Sequence, residues 1–211
     1  HQNSINSAQP GTRVGINISG ISHQQIKRGQ TIALPGYLKP SLAADVELIS
    51  LNNNIKHNST VNLHFGTSQT LSKIRLLDRD ILMKNSSCFA QLKPNDSFSF
   101  SKNEPFIIRL GNETIGGGKI IDPNPPRHKR NSQKILQRLR NLSSNSYEEV
   151  ILEIIENSIT LPAKSIARIG NISIEDTNKT IKSLLKSKKI SKLVKTPLDQ
   201  KEYYIKTEEG E

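Results

Sequence analysis

The period of the apolar residues changes once along this chain, at Asp122-Pro123-Asn124-Pro125-Pro126, and the change divides what the two halves can fold into. Proline fixes φ and lacks a backbone donor, so this stretch can be neither helix nor interior strand and reads as a stiff connector. Before it, apolar and polar residues alternate in short runs broken by Gly, Pro and Asn, the period of half-buried strands. After it, apolar residues recur at three- and four-residue spacing, the period of helices. The expected fold class is mainly β followed by α, with no internal repeat.

Strand-like runs fall at residues 14–18, 31–34, 45–49, 61–65, 74–77, 88–92, 98–100, 106–110 and 115–121. In one of them Val61, Leu63 and Phe65 share a face while Asn62 and His64 lie on the other. Many short strands at close spacing imply an antiparallel barrel or sandwich. Residues 92–96 read as a turn. In the second half, Ile135, Leu136, Leu139 and Leu142 form a helical stripe behind Asn131 or Ser132 as N-cap. Tyr147, Val150, Ile151, Ile154 and Ile155 form a second. Pro162 suits the first turn of a short helix ended by Gly170, and Ser173 with Glu175 and Asp176 opens a fourth through Ile181, Leu184 and Leu185. Residues 192–195 and 202–205 flank a Pro197-Leu198-Asp199 turn as a two-stranded wing. Helix, short helix, longer helix and hairpin is winged-helix order.

Thirty Lys and Arg against 19 Asp and Glu give a net charge of +11, which points to an anionic partner, nucleic acid ahead of a membrane surface. No apolar run approaches the roughly 18 residues of a membrane span, and the polar start HQNSINSAQP is no signal peptide. A lone cysteine, Cys88, forms no internal disulfide, and five scattered histidines have no zinc spacing, so the expectation is a cytoplasmic protein without metal. Catalysis is not expected. Gly116-Gly117-Gly118-Lys119 lacks the Ser or Thr a phosphate loop needs after its Lys, and Ile181 stands where Asn178-Lys179-Thr180 would need a carboxylate to read guanine. The glycine triplet admits two readings: a bulged barrel edge, or a place where a ligand backbone comes close.

The run from Phe106 through Arg109, Leu110, Gly111, Asn112, Glu113, Thr114, Ile115 and Gly116-Gly117-Gly118 resembles the last strands of the third domain of the elongation factor Tu superfamily. Thr114 to Pro123 and Val61-Asn62-Leu63-His64-Phe65-Gly66-Thr67 look more narrowly like the bacterial selenocysteine-specific elongation factor family, SelB. Gly11 to Gly20 and Ile26 to Gln30 are similar to the end of the superfamily's second domain. The resemblance implies a translation-factor β-barrel at 37–125, preceded by the final strands of a truncated second domain at 1–36. A basic linker and helix at 126–145 and a winged helix at 146–211 would follow. Residues 1–36 would close no barrel of their own. GTP and magnesium would belong to a domain absent from this chain, leaving it no cofactor. The partners implied are selenocysteyl-tRNA, the ribosome and, through further winged helices absent here, mRNA.

By position the resemblance makes Thr114, Gly116, Gly117 and Gly118 a surface for the T-stem backbone, with Glu113 where the superfamily has Arg; His64 and Thr67 join them as candidates. Missing side chains let main-chain N–H groups approach sugar and phosphate, which positions RNA without reading bases. Two basic features extend the expected RNA surface. Arg127, His128, Lys129 and Arg130 continue through Lys134, Arg138 and Arg140 without an acid. Lys179, Lys182 and Lys186 share one face of the fourth helix, and Lys189 prolongs it. The expected role is non-catalytic: holding selenocysteyl-tRNA and coupling a GTPase body to mRNA-binding modules. The rival is a DNA-binding winged-helix regulator with a β-rich sensory domain, which accounts for the lysine face but not for the glycines.

Overall fold

The structure, a computed structural model, describes residues 5–35, 37–158, 161–193 and 202–207. Its first half holds β1 (Ala44–Ser50), β2 (Ile55–Lys56), β3 (Thr60–Phe65), β4 (Ser68–Leu76), β5 (Ile81–Leu82), β6 (Ser87–Pro94), β7 (Pro105–Leu110) and β8 (Glu113–Asp122). Six of these close an antiparallel barrel in the order β1-β6-β4-β3-β7-β8, and β2 pairs with β5 beside it. Alternation decides what points inward. Along β4, Thr70, Ser72 and Ile74 are buried while Leu71 and Lys73 between them are exposed. Val46, Leu48, Leu63, Ile74, Leu92 and Ile108 fill the interior, each such side chain contributing about 1.5–3 kcal/mol. Phe65 meets Phe98 edge-on at 5.1 Å and Phe100 at 4.7 Å.

Three strand expectations fail, for physical reasons. Residues 14–18 and 31–34 are not strands; the described part of the first 36 residues holds one 3-10 turn, His23–Gln25, and Ile16, Ile32 and Leu34 are at least 65% exposed. A closed barrel offers no free edge for them to pair with. This segment leans on the barrel instead, Arg28 Nε donating to the Thr67 carbonyl (3.1 Å) and Ser68 Oγ to the Gly29 carbonyl (2.9 Å). Around 98–100 there is a single bridge, Ser41 to Phe98, because both phenyl rings turn towards the core. Pro94 closes β6 rather than sitting within a turn, and the bend begins at Asn95.

The second half contains α1 (Gln133–Ser143), α2 (Tyr147–Glu156), β9 (Leu161–Pro162), α3 (Ala163–Gly170), α4 (Ile174–Lys186), β10 (Ile190–Leu193) and β11 (Tyr203–Lys206). Ser146 and Ser173 cap α2 and α4, accepting from the Glu149 and Asp176 amides. Pro162 stands at the N-cap of α3, and Asn171, left-handed at φ 50°, ends that helix. The strands form a sheet in the order β10-β11-β9. The expected turn at 197–199 lies outside the described residues. Leu139, Ile151, Ile154, Ile166, Leu184 and Tyr204 share one core with Leu77 and Ile121 of the barrel, so the two halves are packed together. Among the described residues no helix is long and apolar enough to cross a membrane.

Candidate nucleic-acid interface

The outer face of the barrel carries a polar band that register alone assembles. Lys93 of β6 lies opposite Lys73 of β4, and Lys73 opposite Thr60 of β3. Two residues along the same face of β3, Asn62 lies opposite Arg109 of β7, and Arg109 opposite Thr114 of β8. The band crosses five strands, hence about 19 Å at ~4.8 Å per strand. Directly opposed like charges destabilise an antiparallel pair, so the Lys73–Lys93 pairing works against the fold. Thr114, expected from sequence, is exposed at one end of this band. Lys73, Lys93 and Arg109 were not singled out in the sequence, because three single cations on three strands carry no local motif.

At its other end the band opens into a groove of about 430 Å³ lined by His57, Asn58, Lys73, Arg75, Lys93, Arg127 and Arg130, with no carboxylate in the lining. His57 Nδ1 and Arg75 Nη1 are buried there without a hydrogen-bond partner among the described residues. Burial, then the nearby Arg130 and Arg75 guanidinium groups, hold the His57 pKa below the usual imidazole range.

The basic segment that follows the connector supplies two of these cations, Arg127 and Arg130, because it is pinned to the barrel wall. Gln91 Nε2 reaches both Asp45 Oδ1 and the Pro126 carbonyl at 3.0 Å. Arg130 Nε donates to the Leu76 carbonyl (3.1 Å), and its Nη2 to the Arg79 carbonyl (2.7 Å) and Asp80 (2.8 Å). His128, expected among the RNA-binding cations, is not on the surface: it is 4% exposed and meets Asp45 at 2.5 Å. Its ring is the peg that fastens the connector, leaving Arg127 exposed beside it. Burial pushes the Asp45 carboxyl above its ordinary range, and the His128 hydrogen bond draws it back. Removing one partner of a buried pair strands the other, at about 3–5 kcal/mol. His128→Ala should therefore lower stability by that much in urea denaturation; unchanged stability would mean that the pair fastens nothing.

The glycine triplet is not an edge. β8 is paired on both sides, with β1 and with β7, and its register with β7 shifts at Ile115 between the Ile108–Gly116 and Arg109–Thr114 pairs. The bulge is there; the edge is not. A Cβ on Gly116 would stand 2.5 Å from the Ile49 carbonyl, one on Gly117 2.6 Å from that of Phe106, and one on Gly118 would overlap that of Glu47. The glycines are thus required by the barrel's own strands. Gly116 is buried, while Gly117 and Gly118 are half-buried. Gly117 lies between Ile49 and Ile107, which are 48% and 46% exposed, so its flank is apolar. His64 faces outward opposite Ile107, and Thr67 is exposed in the β3–β4 turn.

On the helical half, Lys179, Lys182 and Lys186 are exposed as expected, with Thr177, Ile181 and Leu184 buried behind them. Lys189 pairs with Glu148 at 3.6 Å and Lys134 is exposed on α1. Arg138 does not belong to the surface run: its Nη2 binds Asp122 at 2.6 Å across the junction of barrel and helices. Among the described residues no group of three His, Cys, Asp or Glu could hold a metal.

A family model described as the β-barrel domain of the selenocysteine-specific elongation factor matches residues 43–127, which take in every barrel strand and end just past the connector. A "Selenocysteine-specific elongation factor" of Desulfomicrobium baculatum is 30% identical over 157 residues, which cover 72% of this chain and 25% of that protein. The matched part thus spans about a quarter of the length of this curated relative.

Proposed function

The barrel of this chain belongs to the selenocysteine-specific elongation factor family, and from that premise we propose that it holds selenocysteyl-tRNA by its backbone during delivery to the ribosome at UGA codons. The role is non-catalytic and cytoplasmic. The observation that supports it is the outward band from Lys93 through Lys73, Thr60, Asn62 and Arg109 to Thr114, together with the cationic groove at its end. An RNA helix is recognised largely through phosphates and 2′-hydroxyls, and a row of lysines, an arginine and small polar side chains suits that chemistry. Lysine is a point charge rather than a base reader, so the contact positions RNA without reading sequence. Within the glycine strand, Thr114 carries the contact at the surface, and the glycines shape the wall behind it.

The helical half adds a second cationic face. It takes the winged-helix role of linking the barrel to mRNA-binding modules, with Lys179, Lys182 and Lys186 on RNA backbone. Replacing these three by Ala should weaken RNA binding and leave the thermal unfolding midpoint within a few degrees of the parent, since all three side chains are exposed. A collapse of the fold would show that the helix face is misassigned. Binding to a selenocysteine tRNA and to a DNA duplex of equal length, measured across salt, tests the whole reading. The tRNA should bind more tightly, with a log–log slope of about −0.7 to −0.9 per neutralised phosphate. Tighter, sequence-specific binding to DNA would favour the regulator instead.

A further inference from the structure

We infer that the seam between the barrel and the helices is a binding site for a phosphate group, with Lys102 as its buried cation. Lys102 is 7% exposed, and its Nζ is buried with no hydrogen-bond partner among the described residues. The loop that carries it is held from three sides. Ser101 N donates to Glu104 Oε2 (2.9 Å), Asn103 N to the Ile120 carbonyl (2.7 Å), and Asn171 Nδ2, from the end of α3, to the Lys102 carbonyl (3.0 Å). The chain therefore fixes this ammonium at the junction rather than letting it reach for water. The carboxylate whose charge acts on it, Asp122, is already engaged by Arg138 at 2.6 Å and by the Asn124 amide at 3.0 Å. An unpaired charge taken out of water is strongly disfavoured, so a counter-ion is the missing part.

The adjoining space says which sign and size it has. Lys102 borders a cleft of about 280 Å³ whose only charged lining residues among the described residues are Lys102 and Lys119, the latter shared with Glu47 at 3.3 Å. The α1–α2 turn supplies Ser143, Ser144 and Asn145 opposite them. Ammonium, amide and hydroxyl groups around a volume of that size suit a tetrahedral oxyanion, with room for one phosphate and a small substituent. Bound there, it would tie the barrel loop to the α1–α2 turn and so stiffen the junction.

The charged groups about Lys102 are Asp122 and Lys119 of β8; on its other side Lys102 borders a separate pocket of about 300 Å³ whose further charged lining residues are Lys39, Asp122, Arg138, Glu153 and Arg168. Burial lowers the Lys102 pKa to about 8, so the side chain is still a cation at pH 7. Between about pH 8 and pH 10.5 the unfolded chain keeps a proton that the folded chain has lost, so stability without ligand rises with pH through that window. A phosphate on Lys102 holds the proton and flattens the rise.

Thermal unfolding of the full chain at pH 7 and constant ionic strength tests the inference. The probes are inorganic phosphate and, separately, a short RNA duplex, each against chloride. Phosphate well above its dissociation constant should raise the midpoint by about 5 °C or more. Lys102→Met, which removes the buried charge, should start at or above the parent and show no phosphate response. Lys84→Ala, which removes an exposed charge outside both the cleft and the RNA surface, should respond as the parent does. Protection by the RNA alone, lost in Lys102→Met, would make a phosphodiester the source of the same group. Equal phosphate protection of parent and Lys102→Met, or no phosphate protection together with RNA protection that is absent or equal in the two proteins, overturns the site. The inference builds on the family reading, but the response to inorganic phosphate needs no RNA, so its failure is distinguishable from failure of the tRNA reading.

Discussion

Gly118→Ala should disrupt the barrel more than any other single methyl group added to this chain. The new Cβ would overlap the Glu47 carbonyl, a backbone atom held by the β1–β8 ladder and unable to swing aside. Relief would need a shift of β1 or β8, and β1 is also tied to β6 through six residue pairs. Overpacking of a well-packed site costs about 1–3 kcal/mol even where side chains can yield; against fixed backbone the loss should exceed that, about 4 kcal/mol or more. Gly116→Ala should follow, with its Cβ 2.5 Å from the Ile49 carbonyl. Gly15→Ala is the control, since nothing lies within 4 Å of its added Cβ and it should be nearly neutral. Urea unfolding of the three variants gives the order directly; a Gly118→Ala protein as stable as the parent would remove the structural reason for the glycines.

The largest effect on binding should come from Lys73→Ala, Lys93→Ala and Arg127→Ala combined. The three side chains line the groove at the end of the polar band, and Arg127 comes from the basic segment after the connector rather than from a strand. At about 1 kcal/mol per lost phosphate contact, tRNA affinity should fall about a hundredfold. The log–log salt slope should become shallower by about 2. Stability should move the other way. Lys73 and Lys93 face each other across β4 and β6, and relieving like charges there should stabilise the barrel by about 0.2–1 kcal/mol. Weaker binding with a firmer fold marks residues kept for a ligand; loss of both would mark ordinary surface packing.

What the sequence could and could not tell follows from the range of each signal. The connector, the alternation of Val61, Leu63 and Phe65, and the start of α4 at Ser173 are local features, and the structure holds them where the local pattern put them. The lysines of α4 are legible for the same reason, since helix spacing fixes their face. The band is not, because it depends on which strands become neighbours: Lys73 and Lys93 are twenty positions apart, and Thr60 and Thr114 more than fifty. His128 misled because a histidine inside a run of Arg and Lys looks like one more surface cation. Only the closing of the barrel brings Asp45, 83 positions away, beneath it. The isoleucines of residues 14–18 and 31–34 alternate as strand residues do, but a strand needs an edge to join, and this barrel presents none.

Hydroxyl-radical footprinting of a selenocysteine tRNA bound to this chain tests most directly whether the barrel wall is an RNA surface. The account predicts continuous protection of riboses along one strand of the T-stem, lost in the Lys73, Lys93 and Arg127 variant and retained when Lys179, Lys182 and Lys186 are replaced. Protection absent from the T-stem, or present there and indifferent to the groove residues, would contradict it.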